Sequence, residues 1–195
     1  MERRDFLKAS SIATISLVGT KVSKAHEETA PLRESEFVGV LVDTTRCIGC
    51  RHCEIACAEA HGHGIPNVLS DRALEMQRTT SEKQWTVVNR HNTSKGEFFA
   101  KKQCMHCWHP ACAAACPTNA MDKTTLGPVI WHPDRCMGCR FCMVSCPFDI
   151  PKFEYFSANP RIEKCTLCWK RLQNGQQPAC VAGCPSDTLV FGQKA

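Results

Sequence analysis

Long apolar runs are scarce in this chain of 195 residues. After residues 1–25 no stretch approaches the roughly eighteen apolar residues that mark a bilayer-spanning helix, which excludes such a helix from the body of the sequence. Charge of one sign is not in excess either. The chain has 24 Lys and Arg against 19 Asp and Glu, net +5. Residues 1–25 hold five basic and two acidic side chains of that balance, so the remainder is near +2 and gives no argument for nucleic-acid binding. Also missing are a Walker loop, a convincing dinucleotide fingerprint after a strand, and an obvious nucleophile–base pair. No substrate site is legible.

What the chain has instead is cysteine. Sixteen fall in four groups of four: Cys47-Cys50-Cys53-Cys57, Cys104-Cys107-Cys112-Cys116, Cys136-Cys139-Cys142-Cys146 and Cys165-Cys168-Cys180-Cys184. The first and third have the C-x2-C-x2-C-x3-C spacing of bacterial ferredoxins. The second adds two residues before its third cysteine, and the fourth opens that gap to eleven, Trp169 through Ala179. A cubane cluster takes four thiolates, so sixteen divide into four [4Fe–4S] clusters with none left over. Tight two-residue loops wrap one corner of a cubane and aim backbone N–H groups at its sulfurs. The C-x3-C end leads into a helix, and its last cysteine ligates a different cluster. Proline follows that cysteine in three groups, at Pro117, Pro147 and Pro185, and redirects the chain there. In the first group Ala58 takes its place, a departure that removes no ligand.

Two other chemistries use many cysteines. Disulfide frameworks are common in exported proteins, but C-x2-C pairs rarely bridge, and four repeats of four do not arise by chance. Structural zinc separates two C-x2-C knuckles by a long loop, which three close cysteines followed by C-x3-C-P do not match.

Residues 1–25 predict an export leader. Arg3-Arg4-Asp5-Phe6-Leu7-Lys8 resembles the twin-arginine signal, a short apolar stretch runs from Ile12 to Val18, and Ser23-Lys24-Ala25 offers small residues for cleavage. That route carries folded proteins, so clusters could be installed in the reducing cytoplasm before the thiols met an oxidising compartment. The expected destination is the periplasm, peripheral on the inner membrane through partners.

About 170 residues remain, enough for one domain or two small ones, with clusters standing in for much of the apolar core. Strands are expected over 36–43, 84–90, 97–102, 129–132 and 188–192, an extended segment over 150–155, and helices over 55–61 and 111–116. The 62–83 stretch is polar and uninformative. First cysteines recur at intervals of 57, 32 and 29 residues, an internal repeat of a ferredoxin unit. The expected class is α+β: two loop-rich, ferredoxin-like lobes organised around four clusters.

These features together resemble the four-cluster iron–sulfur beta subunits of membrane oxidoreductases. That family includes subunits of formate dehydrogenase, dimethyl sulfoxide reductase, polysulfide or tetrathionate reductase, and hydrogenase-2. The resemblance runs from about Phe37 to Gly192. It rests on Cys47-Ile48-Gly49-Cys50-Arg51-His52-Cys53, Cys104-Met105-His106-Cys107 with Pro110-Ala111-Cys112, Cys136-Met137-Gly138-Cys139-Arg140-Phe141-Cys142, and Lys164-Cys165-Thr166-Leu167-Cys168 with Pro178-Ala179-Cys180. It implies that group one pairs with group four and group two with group three. The implied ligand sets are Cys47, Cys50, Cys53 and Cys184; Cys57, Cys165, Cys168 and Cys180; Cys104, Cys107, Cys112 and Cys146; and Cys116, Cys136, Cys139 and Cys142. Lobe one would then hold 34–97 and 156–195, with lobe two, 98–155, inserted. Some relatives continue into a C-terminal membrane helix where this chain stops at Ala195, and some lack a leader. Both differences lean toward the tetrathionate- or nitrite-reductase branches and leave the hydrogenase-2 type open.

The implied function is an electron relay between a catalytic partner (a molybdenum or tungsten enzyme, a hydrogenase or a multihaem cytochrome) and a quinone-reactive membrane subunit. The chain would have no substrate site of its own. The alternatives are a soluble periplasmic shuttle ferredoxin, and an enzyme with a site-differentiated cluster, for which the cysteine count leaves no cluster short of a ligand. Arg46, Arg51, Arg135, Arg140 and Lys164 adjoin ligands and either raise cluster potentials or are solvated surface charges. His52, His61, His63, His106 and His109 are not needed as ligands. Trp108, Trp131 and Trp169 read as cluster shielding or partner contacts.

Overall fold

A strand, a cysteine loop and a short helix form the unit that recurs along the chain. The computed structural model describes residues 37–68 and 70–193. The leader expected over 1–25 lies outside them. In chain order the elements are β1 (Val38–Val42), α1 (His52–His61), a 3-10 turn (Asp71–Leu74), β2 (Val87–Thr93), β3 (Gly96–Lys102), α2 (Ala111–Ala114), β4 (Met121–Lys123), β5 (Val129–Trp131), a second 3-10 turn (Pro133–Arg135), α3 (Phe141–Val144), β6 (Lys152–Phe153), β7 (Ile162–Glu163), α4 (Trp169–Gln173), α5 (Ala179–Ala182) and β8 (Leu189–Gln193). Among the described residues the strands form four two-stranded antiparallel sheets, β1 with β8, β2 with β3, β4 with β5 and β6 with β7.

The long-range pairing is β1 with β8, Val38 opposite Gln193 and Val42 opposite Leu189. It joins the two ends of the described chain. The others are local ribbons. Too short to stand alone in water, they pack on cysteine-bearing helices.

Each helix starts where a cysteine loop ends. The third cysteine of every group, Cys53, Cys112, Cys142 or Cys180, is the second residue of its helix, and all four are buried. Helix length depends on the residue after the fourth cysteine. With proline there, at Pro117, Pro147 and Pro185, the helix is four residues and the chain turns away. Asn119, Asp149 and Asp187 then take positive φ three residues beyond the cysteine. Where Ala58 stands instead, α1 runs for ten residues and closes on Gly62 at φ 69. It begins at His52, one turn before the expected start, because left-handed Arg51 at φ 62 ends the loop there.

The buried side chains collect in two larger neighbourhoods and a smaller third, Cys57, Trp85 and Cys165 with Cys104 against them. Cys112, Met121, Val129, Cys142 and Ile162 form the first, backed by Trp131 and Phe153. Cys53, Val88, Cys180 and Leu189 form the second. Helices α2 and α3 meet in the first, α1 and α5 in the second. The α1–α5 approach is close: a Cβ on Gly183 would come within 2.9 Å of the Ala56 methyl. The expected lobe boundaries at 98 and 156 fall inside ribbons, one within β3 and one between β6 and β7. Ile162 of β7 packs with the middle groups.

Candidate metal centres

Left-handed residues shape the cysteine loops. Gly49 and Arg51 (φ 70 and 62) bend group one, Gly138 and Arg140 (φ 74 and 63) group three, His106 (φ 44) group two, and Leu167 and Cys168 (φ 53 and 51) group four. Such turns bring successive backbone N–H groups to one side, where an anion can sit. Sulfur occupies that side. Leu167 N–H donates to Cys165 Sγ at 3.4 Å and Ala179 N–H to Cys168 Sγ at 3.4 Å. Ala120 and Met121 N–H donate to Cys116 Sγ at 3.2 and 3.4 Å. The hydroxyls of Thr118 and Ser186 stand 3.7 Å from Cys116 Sγ and Cys184 Sγ. Burial alone would raise these two thiols, but the donors outweigh it and hold both below the usual cysteine value.

Thiols from different groups converge. One small cavity is lined by Cys47, Cys50 and Cys53 with Cys184, and another by Cys136, Cys139 and Cys142 with Cys116. Burial pushes the Cys57 thiol up, and its cysteine neighbours are Cys165, Cys180 and Cys168. Burial pushes Cys112 up to about 11, with Cys104, Cys146 and Cys107 around it. Cysteines of further groups also act on one another, Cys180 on Cys53, Cys104 on Cys165 and Cys112 on Cys142. Burial also raises Cys53 and Cys165 to about 12 and Cys142 to about 11. Iron's positive charge is what would draw such protons off, so binding and deprotonation are one event.

The arrangement suits a cubane better than the alternatives. All sixteen cysteines are free thiols. Among the described residues no three of His, Cys, Asp and Glu converge tightly enough to hold a single metal ion. Thiols spread around a pocket, with N–H donors behind the sulfurs, match a polynuclear cluster that carries negative charge.

The comparisons with known proteins agree. Models of a 4Fe-4S dicluster domain match residues 95–194, just over half of the chain, and residues 46–120. The chain belongs to the 4Fe-4S dicluster family, in its ferredoxin-type beta-subunit branch. Two dicluster domains and sixteen cysteines fit four [4Fe–4S] clusters. A protein of Nitratidesulfovibrio vulgaris is 44% identical across all of this chain and 54% of its own length. The hydrogenase-2 operon protein HybA of Escherichia coli O157:H7 is 35% identical across all of this chain and 63% of its own. The formate dehydrogenase-O iron-sulfur subunit of Escherichia coli K12 is 36% identical across 82% of this chain and 54% of its own. The chain thus spans between half and two thirds of the length of these relatives. The named ones are a hydrogenase-2 operon protein, the type the sequence left open, and a formate dehydrogenase iron-sulfur subunit.

Around the thiols the dicluster chain adds polar machinery that the cysteine pattern does not announce. Glu54, on α1 between Cys53 and Cys57, is 1% exposed. Its carboxylate accepts from Arg51 Nη2 (3.0 Å), Arg78 Nη2 (2.5 Å), Gln84 Nε2 (2.8 Å) and Val88 N–H (2.7 Å). Burial would raise its pKa, but the bonds from Arg78, Arg51 and Val88 hold it below the usual carboxylate range. Arg51 also donates to the Asn67 carbonyl at 3.0 Å. The polar 62–83 stretch is thereby pinned over group one.

His61 Nε2 lies 3.4 Å from Cys168 Sγ, and its ring packs on Trp85 with centroids 4.5 Å apart. Burial, then His63 and Lys170, lowers its pKa to about 4, so it is neutral at ordinary pH. His106 is buried and accepts the Val129 N–H at Nδ1, a structural role, while His52 and His109 are exposed. Of the cations singled out in the sequence, Arg51 and Lys164 are buried, whereas Arg46, Arg135 and Arg140 are exposed. Lys101, which the sequence did not single out, lines the cavity of Cys47, Cys50, Cys53 and Cys184. Trp131 packs in the middle core, Trp108 meets Phe37 edge-on at 4.6 Å, and Trp169 opens α4.

Proposed function

We propose that this chain is the electron-transfer subunit of a periplasm-facing respiratory oxidoreductase. It relays electrons through four [4Fe–4S] clusters between a catalytic subunit and a quinone-reactive membrane subunit. The observation that carries the reading is that thiols from different groups converge, Cys184 with Cys47, Cys50 and Cys53, and Cys116 with Cys136, Cys139 and Cys142, with N–H donors behind several of the sulfurs. The ligands are Cys47, Cys50, Cys53 and Cys184 (first set), Cys57, Cys165, Cys168 and Cys180 (second), Cys104, Cys107, Cys112 and Cys146 (third), and Cys116, Cys136, Cys139 and Cys142 (fourth). Each cluster supplies a reversible one-electron couple, whose potential the surrounding charge, hydrogen bonds and burial set. The residues of the chain space the sets, exclude water from the inner thiols and hold N–H donors at the sulfurs.

The first two sets form one ferredoxin-like lobe and the last two an inserted second lobe. The separate core neighbourhoods and the α1–α5 and α2–α3 helix pairs support this division. The ribbons extend the inserted lobe to include β6 and β7. The twin-arginine motif is the basis for export, and no described helix is long and apolar enough to cross a membrane. A docked subunit is favoured over a free shuttle by the apolar side chains exposed on and around α3, Met137, Phe141, Val144 and Phe148.

Anaerobic purification of the exported protein tests this. Iron and acid-labile sulfide should each come to about sixteen per chain, with paramagnetic signals after dithionite. The protein should copurify with a catalytic or membrane partner. Isolation alone would favour the shuttle, and a colourless, zinc-rich preparation would remove the cluster reading.

A further inference from the structure

Two lysines lie among the cysteine sets without a carboxylate. Lys164 is 3% exposed. Its ammonium donates to the main-chain carbonyls of Cys165, at 3.0 Å, and of Val129, and stands 4.0 Å from Cys104 Sγ. It also lowers the Cys112 thiol against the burial that raises it. Lys164 therefore sits where the second set (Cys165) meets the third (Cys104, Cys112). Lys101, on β3, lines the cavity of the first set and is held by Gln103 Oε1. The cysteines acting on it are Cys180, Cys53, Cys165 and Cys57, drawn from the first and second sets.

Among the described residues neither lysine makes an ion pair with Asp or Glu. Lys164 is buried and Lys101 half-buried, and an ammonium drawn out of water without a counter-charge is unfavourable. The anions within reach are cysteine sulfurs: Lys101 lies among those of the first and second sets, and Lys164 reaches Cys104 of the third while touching the second through the Cys165 carbonyl. Around the fourth set the cation is Arg140, which lines its cavity but is exposed and lies over the Phe153 and Tyr155 rings. The groups acting on Cys142 there, after burial, are the cysteines Cys112, Cys116, Cys136 and Cys139.

We propose that Lys101 and Lys164 are positioning residues for electron transfer, fixed positive charges between the first and second sets and between the second and third. The inference rests on the reading that those sets hold clusters. An added electron makes a cluster more negative, so a neighbouring ammonium favours the reduced form on both sides of its boundary. The second set is raised by both lysines, the first and third by one each, and the fourth by neither. The relay is thus weighted toward its interior, offsetting the burial that otherwise disfavours charge there.

Potentiometric titration of the loaded full-length protein, followed by paramagnetic resonance, tests this without assigning signals. Lys101→Met should lower two of the four midpoints, and Lys164→Met should also lower two. One midpoint should be common to both variants and one should move in neither. The expected shift is about tenfold in the one-electron reduction constant, about 59 mV. Should Lys164→Met load incompletely, Lys164→Gln keeps a donor for the two carbonyls and carries the same test, as does Lys101→Gln for its site. Full iron content with unmoved midpoints, or with all four shifted alike, overturns the proposal. Low iron in the unaltered protein would instead overturn the cluster reading beneath it.

Discussion

Groups one and three have the same spacing and nearly the same loop, yet they live in different surroundings. Cys-Ile-Gly-Cys-Arg at Cys47–Arg51 and Cys-Met-Gly-Cys-Arg at Cys136–Arg140 share their backbone, with glycine at φ 70 and 74 and arginine at φ 62 and 63. Around group one the chain has built a cover. Arg51 turns inward to Glu54, and Gly49 is closed over by the Phe99 ring. Around group three it has not. Arg140 is exposed and lies over the Phe153 and Tyr155 rings at 4.7 and 5.3 Å, Gly138 has open space, and Cys139 is exposed. A cysteine motif therefore dictates the local turn but not how dry the sulfurs become. That depends on chain contributed from elsewhere, chiefly residues 62–102.

The contrast can be tested by breaking the cover. Glu54→Ala leaves Arg51 and Arg78 without their shared carboxylate and should cost about 3–5 kcal/mol, the usual penalty for stranding a buried charge. Iron should be lost from the first and second sets while the third and fourth stay loaded. Arg140→Ala in the open loop should cost about 0.5–1 kcal/mol, the worth of an exposed cation over a ring. Thermal unfolding of the holo-protein and iron content per chain read both. Equal losses in the two variants would dissolve the comparison.

The paired glycines give a finer version. Both alanine replacements carry the left-handed penalty of about 1–2 kcal/mol. Gly49→Ala must also drive its methyl into Phe99, whose ring atoms would lie 2.6–2.9 Å away, adding about 1–3 kcal/mol of overpacking. Denaturant midpoints should rank Gly49→Ala well below Gly138→Ala.

The smallest effect is one of pH. The folded pKa of His61, about 4, is below its unfolded value of 6.5. The unfolded chain thus binds the extra proton over that window, and stability present above pH 6.5 is lost as pH falls toward 4. His61→Phe should flatten this part of the stability profile, measured as thermal midpoint against pH, while leaving the profile above about pH 7 unchanged in shape.

What is legible in the sequence divides along the same line. The cysteine groups, the ribbon of β2 and β3 with its turn at Ser94 and Lys95, and the strands β1, β5 and β8 can be read from spacing and alternation. The Glu54 centre cannot. Glu54 looks like any acidic residue on a short helix, and its partners Arg78, Gln84 and Val88 are 24 to 34 residues away, across a polar stretch without periodicity. Helix α4 hides in the eleven-residue gap of group four, where cysteine spacing says nothing about conformation. Strands β4 and β7 are three and two residues long, too short for any alternation to register, whereas β6 lies within the expected extended segment 150–155. The expected boundaries at 98 and 156 follow the cysteines; one falls within β3 and one between the paired strands β6 and β7. Lys101 escapes notice because it is three residues from the nearest cysteine in sequence, though the fold sets it among four of them.

The ladder between β1 and β8 has a consequence for synthesis. Strand β1 has its partner in β8, so the leading residues wait on the ribosome for nearly the whole chain. Groups two and three, whose helices and ribbons are local, can close while translation continues. A chain cut short before Leu189 would leave β1 with an open edge and no mate, a readily recognised defect for any export machinery that accepts only folded cargo.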